Sequence, residues 1–189
     1  MATTLHLKGP TVVFIDWANV HGWQKTLKCE IDLDAVREVL KNYSEIEELR
    51  LYHGTDVHPS SVRFIERMRR HGYVVITKPV KYIEVRTDEG VQTHLRKCDF
   101  DIEICIDLFR ALAQEKNGFI FFSGDGDFAP MYRELLRLHK QVIVVYAPKH
   151  IGKEVWEIPK GIFKIEVRKL LPQNCFREKS SPGPCDPGA

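Results

Sequence analysis

An apolar run that stops abruptly on carboxylates occurs twice in this chain, and no other feature constrains the fold as strongly. Thr11-Val12-Val13-Phe14-Ile15 ends on Asp16-Trp17-Ala18-Asn19, and Ile120-Phe121-Phe122 ends on Ser123-Gly124-Asp125-Gly126-Asp127-Phe128. Short apolar runs without polar alternation read as buried strands. In an open parallel sheet, ligands sit outside the carboxyl ends of the strands, so both runs deliver acids to one functional edge. Gly124 and Gly126 give the second turn the backbone freedom or close approach it needs. One carboxylate in a strand-to-helix loop is accounted for as an N-cap, and Asp127 could serve as one. Two carboxylates flanking a glycine also repel each other, which a cation or donors from elsewhere would relieve.

The rest of the chain keeps a strand–helix rhythm. Val36, Val39 and Leu40 mark a helix over Leu33 to Tyr43, followed by a strand from Ile46 to Tyr52. Pro59 to His71 reads as a second helix, with proline in its first turn and Gly72 as its stop. Tyr73 to Thr77 is a third strand whose exit carries Lys78 and Pro79. Residues 80–96 break the rhythm as a hairpin around Thr87-Asp88-Glu89-Gly90, with Arg86, His94, Arg96 and Lys97 available to a substrate. Asp101 to Glu115 forms a helix ended by Asn117-Gly118, apolar on most of its circumference and therefore expected to be deeply buried. Glu103 and Asp107 share one side of it, suited to a site role or to pairing with a buried cation. Asp101 and Asp107 stand about 240° apart on an ideal helix, which gives Asp107 an orienting role rather than a place on the same ion. A helix with Met131, Leu135 and Leu136 precedes the strand Gln141 to Tyr146, whose exit offers Lys149 and His150 to phosphate. Residues 1–171 read as one domain, and 172–189, with Pro182-Gly183-Pro184 and Pro187-Gly188, as a disordered tail.

Composition excludes several classes. No apolar run reaches the length of a membrane span, and Met1 to Lys8 lacks a signal peptide's hydrophobic centre, so the expectation is a cytoplasmic protein. Five cysteines without a C-x-x-C pair argue against a disulfide framework or a zinc ribbon, and eight histidines without H-x-x-x-H spacing argue against a zinc hydrolase. The net charge of +2 hides an acidic stretch over 30–56 and a basic one over 59–97. A basic stretch beside an acidic pocket suits a polyanion held by its phosphates and cut at a metal. Arg63, Arg67 and Arg70 read as a solvated helix face, whereas Lys78 and Lys97 read better as substrate contacts.

Phe14-Ile15-Asp16-Trp17-Ala18-Asn19, Lys97 to Asp107 and Ser123-Gly124-Asp125-Gly126-Asp127-Phe128 resemble, in order, the three signature blocks of the NYN family, the LabA-like branch of the PIN-like nucleases. The resemblance covers roughly residues 10–150. It implies a Rossmann-like three-layer α/β/α sandwich with a mainly parallel sheet, here with a β-hairpin insertion, and a Mg2+- or Mn2+-dependent ribonuclease. Carried over by motif, the catalytic and metal positions would be Asp16, Asp101, Asp125 and Asp127, supported by Asn19, Asp99, Asp107 and Ser123. Lys78, Arg96, Lys97 and Lys149 are the candidate substrate contacts. In the family's middle block a lysine stands three residues before the first aspartate. Here Lys97 is four residues before Asp101 and Asp99 intervenes, so Asp99 and Asp101 both stand as candidate ligands. Hard divalent ions select such oxygen donors and would activate water for in-line attack at phosphorus. Single-stranded or structured RNA is the expected substrate, RNA over DNA on the resemblance alone, and a homodimer is a further expectation. The alternative is a non-catalytic RNA-binding or scaffold protein that keeps the fold.

Overall fold

The structure is a computed structural model that describes residues 3–56, 58–86 and 92–178, with backbone alone for residues 85, 86 and 92–96. In chain order, β1 (Thr11–Asp16) leads into α1 (Trp17–Gly22), α2 (Gln24–Leu27), β2 (Cys29–Ile31), α3 (Leu33–Leu40) and β3 (Ile46–Thr55). Next come α4 (Pro59–Arg70), β4 (Val74–Pro79), the hairpin strands β5 (Lys81–Arg86) and β6 (Gln92–Lys97), and α5 (Asp101–Ala113). The chain continues through β7 (Gly118–Phe122), a 3-10 turn at Gly126–Phe128, α6 (Ala129–Arg137), β8 (Gln141–Tyr146), α7 (Lys153–Trp156), β9 (Ile162–Glu166), α8 (Val167–Leu170) and β10 (Phe176–Glu178).

Six strands make one parallel sheet in the order β4-β3-β1-β7-β8-β9. The chain builds outward from β1 on one side and then returns to build outward from β7 on the other. The β1/β7 boundary is therefore the topological switch point, where adjacent loops diverge and leave a crevice. Side chains of β1 alternate between two cores. Val13 and Ile15 join Trp23, Leu40, Leu51 and Met68 on one face, while Val12 and Phe14 join Tyr52, Phe121, Tyr132 and Leu108 on the other. Phe14 stacks on Phe121 with ring centroids 5.1 Å apart, a contact worth about 0.5–1.5 kcal/mol beyond its buried area. Helices cover both faces, giving the expected three-layer sandwich.

Four details depart from the sequence expectations. A sixth parallel strand, β9, extends the sheet beyond β8. The chain past Pro172 is folded through Glu178, because Phe176 is buried and β10 pairs antiparallel with β2; residues 179–189 of the expected tail lie outside the described residues. Asn117-Gly118 opens β7 rather than closing α5, since both amides bond to the Pro10 carbonyl. Finally, α5 is not deeply buried. It buries Ile104, Asp107, Leu108 and Ala111, but Ile102 is 72% exposed, Phe109 59% and Ile106 46%. A single helix lying on a sheet covers only the stripe that faces it, and no described segment covers the outer stripe of α5.

The 80–96 insertion is the expected antiparallel hairpin, β5 with β6; its turn, residues 87–91, lies outside the described residues. No helix among the described residues is long and apolar enough to cross a membrane.

Candidate metal and phosphate site

Asp16 is the last residue of β1 and the N-cap of α1, accepting a hydrogen bond from the Asn19 amide at 3.3 Å. Strand alternation puts it on the Phe14 side of the sheet, beneath the start of α5. Its side chain is buried, and burial pushes its carboxyl up to about 6, reinforced by the negative charges of Asp101 and Asp125. The Asn19 hydrogen bond opposes the shift without cancelling it.

Asn19 is a strut between the two acidic loops. Its Oδ1 accepts from the Trp23 indole N–H at 2.9 Å and from the Gly124 amide at 3.2 Å, which ties the exit of β1 to the exit of β7. Ser123 is buried and accepts from the Asp125 amide at 3.3 Å, so it shapes the loop rather than facing a substrate. Asp125 accepts from the Asp127 amide at 3.0 Å, making Asp125, not Asp127, the cap of the 3-10 turn that opens the next helix. Gly124 answers to a close approach: a Cβ there would stand 1.6 Å from the His150 carbonyl oxygen, and the Gly152 amide donates to the Gly124 carbonyl at 2.7 Å. The loop after β8 is thus packed directly on the acidic loop. It brings Lys149, held in the left-handed region at φ 67°, to a shallow recess of about 340 Å³ shared with Asn19, Asp125 and His150. His150 Nε2 is itself 2.7 Å from Thr26 Oγ1.

Asp101 is the first residue of α5. Burial raises its pKa, and the charges of Asp125, Asp99 and Asp127 raise it further, against the pull of Lys78. Asp16 thus lies in the field of Asp101 and Asp125, and Asp101 in that of Asp125, Asp99 and Asp127. Asp99 is exposed and paired with Lys97 at 3.0 Å.

Other predicted residues fall elsewhere. Lys78 leaves β4 to donate to both carboxylate oxygens of Glu103, at 2.9 and 2.8 Å, with its ammonium 4.7 Å from the centre of the Phe100 ring. Asp107 does not orient the site. It accepts from Tyr52 Oη and from the guanidinium of Arg110, each at 3.0 Å, and meets the Arg50 guanidinium at 3.1 Å, which makes it the pairing partner of a buried cation. Arg96 is carried on β6, its side chain outside the described residues. One acid the spacing did not bring in is Glu154 on α7. A methyl group at Gly126 would meet its carboxylate at 2.4 Å, and nothing in the motif pattern signals a residue that reaches the loop from a later element.

The donor set is all hard oxygen, and Asp16 and Asp101 are raised first by burial and then by neighbouring carboxylates, an environment in which added positive charge is favourable; both fit a hard divalent cation. Among the described residues, however, no three carboxylate, histidine or cysteine side chains converge closely enough to hold an ion in the side-chain positions of this structure.

Comparison with known proteins extends this picture. The NYN domain family pattern matches residues 10–160. The fold is similar to the crystal structure of a Vibrio parahaemolyticus protein of unknown function, with a TM-score of 0.64 at 22% identity over 86% of this chain and 96% of that one. No curated protein matches the sequence.

Proposed function

The chain belongs to the NYN domain family, and from that premise we propose that it is a divalent-metal-dependent ribonuclease hydrolysing phosphodiester bonds at the Asp16, Asp101, Asp125 and Asp127 edge. Members of the family are generally nucleases with a PIN-like fold and generally depend on divalent metal. The observation that carries the reading here is the placing of Asp16, Asp101 and Asp125 together at the sheet's switch point, where burial first and neighbouring carboxylates second raise the pKa of Asp16 and Asp101. Capping accounts for Asp16 and Asp125 one at a time, whereas carboxylates brought together in a partly buried site gain from a cation.

Asp16, Asp101, Asp125 and Asp127 would hold Mg2+ or Mn2+, with Asp101 favoured over Asp99 because Asp99 already has Lys97 as its partner. A bound divalent ion supplies positive charge to a phosphate oxygen and acidity to a coordinated water. The chain's own groups do the rest. Asn19 ties the two acidic loops to each other and Ser123 shapes the second of them, so the carboxylates keep their spacing when substrate arrives. Lys149 stands at the rim as a fixed positive charge for phosphate, and Lys78 tempers the acid cluster from the β4 side while held by Glu103.

A second reading, an RNA-binding protein of this fold without useful turnover, is favoured by the spread of the carboxylates. Cleavage of end-labelled single-stranded RNA and matched DNA in Mg2+, Mn2+ or EDTA, by wild type and Asp125→Asn, separates the two. Metal-dependent cutting that the variant loses while still binding RNA supports the nuclease. Equal binding with no cutting by either protein supports the binder. The exposed Ile102, Ile106 and Phe109 stripe supports a homodimer as part of either reading, tested by sedimentation equilibrium.

A further inference from the structure

On the other side of the same sheet edge lies a cavity of about 630 Å³, within the size range of ligand sites, which the acidic cluster does not use. Its described lining includes Trp17, His21, His53, Phe64, Arg67 and Arg177. Trp17 and Phe64 stack with centroids 5.2 Å apart and planes 29° from parallel, and both are only partly buried. His21 tilts onto Trp17 at 5.9 Å, His53 onto Phe64 at 4.8 Å, and the Arg67 guanidinium lies 5.7 Å from the Phe64 ring centre. Five rings or planar cations thus share one wall. Ile31 and Leu33 add apolar lining, and Glu30, Asp32 and Asp56 add acceptors.

The charge balance decides what such a cavity takes. Arg67 and Arg177 face three carboxylates, Glu30, Asp32 and Asp56, and Arg177 is spent on an ion pair with Asp32. The interior therefore does not attract a phosphate. A stacked aromatic wall with donors and acceptors of both kinds suits a neutral heteroaromatic ring with polar edges. Its position fixes which one. Asp16 and Trp17 are consecutive residues, yet Asp16 caps α1 on the Phe14 side of the sheet while Trp17 packs against the opposite core. A nucleic-acid strand crossing this edge can present a phosphate to the carboxylates and the neighbouring base to the cavity.

We propose that the Trp17–Phe64 cavity receives one unpaired base of the substrate strand, making the site selective for single-stranded or unstacked nucleotides. This rests on the nuclease reading for its phosphate half but not for its binding half. A base locked in a duplex is unavailable to the cavity unless it is flipped out.

The test uses the full chain in EDTA and a fluorescent single-stranded RNA of about five nucleotides, the short end of single-strand site sizes, to limit sliding. Each nucleotide in turn is replaced by an abasic residue. One position is expected to cost about tenfold or more in affinity, the scale of one base stacked on an aromatic ring, and that loss should shrink to nearly nothing in Phe64→Leu. A 2-aminopurine at the same position should be quenched on binding to wild type, a readout that does not depend on the variant folding. A fully paired duplex of the same sequence should bind more weakly. Equal losses at every position, a one-position loss that persists in folded Phe64→Leu, an unchanged 2-aminopurine signal, or no RNA binding would each overturn the proposal. Cleavage of the same RNAs with Mn2+ is scored separately. Cutting without a one-position effect removes the base cavity and leaves the nuclease. A one-position effect without cutting leaves the cavity and removes the nuclease.

Discussion

Helix α5 carries two aspartates six residues apart that are held in opposite ways. Asp107, in its middle, is buried and fully partnered, with Tyr52, Arg50 and Arg110 around its two oxygens. Asp101, at its start, has its pKa raised by burial and further by the carboxylates of Asp125, Asp99 and Asp127. The same contrast separates the two regions they belong to. Beneath α5 the fold neutralises each acid with a cation, Arg50 for Asp107 and Lys78 for Glu103. At the sheet edge it gathers acids, and Lys78, already paired with Glu103, opposes the rise of Asp101 without cancelling it. Burial alone does not make a site, since Asp107 is at least as buried as Asp16. What distinguishes the edge is that the carboxylates of Asp16 and Asp101 have further carboxylates near them and a raised pKa.

The comparison can be broken at several points, and the largest effect belongs to the paired region. Asp107→Ala leaves Arg50 buried beside a lost partner and should cost about 3–5 kcal/mol in urea denaturation, with cleavage per folded molecule nearly unchanged. A loss below about 1 kcal/mol would show that the pair is not the structural element described. Asp125→Asn should do the reverse, lowering the cleavage rate at least about a hundredfold while leaving the unfolding midpoint level or higher. Asp16→Asn sharpens the contrast through pH. Because the folded pKa of Asp16 is raised to about 6 from an ordinary 3.8, the folded protein binds the extra proton between those values. Its stabilising contribution is therefore full below about pH 4 and lost as pH rises through about 6. In EDTA the wild type should lose on the order of 2–3 kcal/mol across that window, and Asp16→Asn should not. Adding Mn2+ at pH 7 should raise the wild-type melting temperature and leave that of the variant in place. The smallest effect is expected at Lys78→Ala. Its pair with Glu103 is about a third exposed, so stability should change by less than about 1 kcal/mol, while an NMR titration should find the Asp101 carboxyl higher still.

Much of this was legible in the sequence because the decisive strands are short, apolar and terminated by acids. Phe14, Phe121 and Val144 could only be buried, and the edge that receives Asp16 and Asp125 followed from strand direction. What stayed hidden was set by long-range neighbours. That Asp107 needed a cation or a metal was readable, but Arg50 stands 57 positions earlier and its role depends on β3 lying under α5. The outer stripe of α5 misled because Ile102, Ile106 and Phe109 look no different in sequence from core residues. β9 escaped because Ile162-Phe163-Lys164-Ile165-Glu166 mixes charge into an edge strand, and proline and glycine near the C-terminus masked Phe176. The cavity escaped for the same reason as Glu154, since Trp17, Phe64 and Arg177 meet only after the sheet has assembled.

Strand β9 has one more consequence, for anyone who would trim the chain. The family match ends at residue 160, just before Ile162. Cutting there would uncover the side of β8, whose Gln141-Val142-Ile143-Val144-Val145-Tyr146 is uncharged, rich in β-branched residues and free of proline. A strand of that composition with an open row of amides and carbonyls is a template for pairing between molecules. The lysine and glutamate of β9, out of keeping with the strands inside it, would then be the residues that keep the sheet from growing.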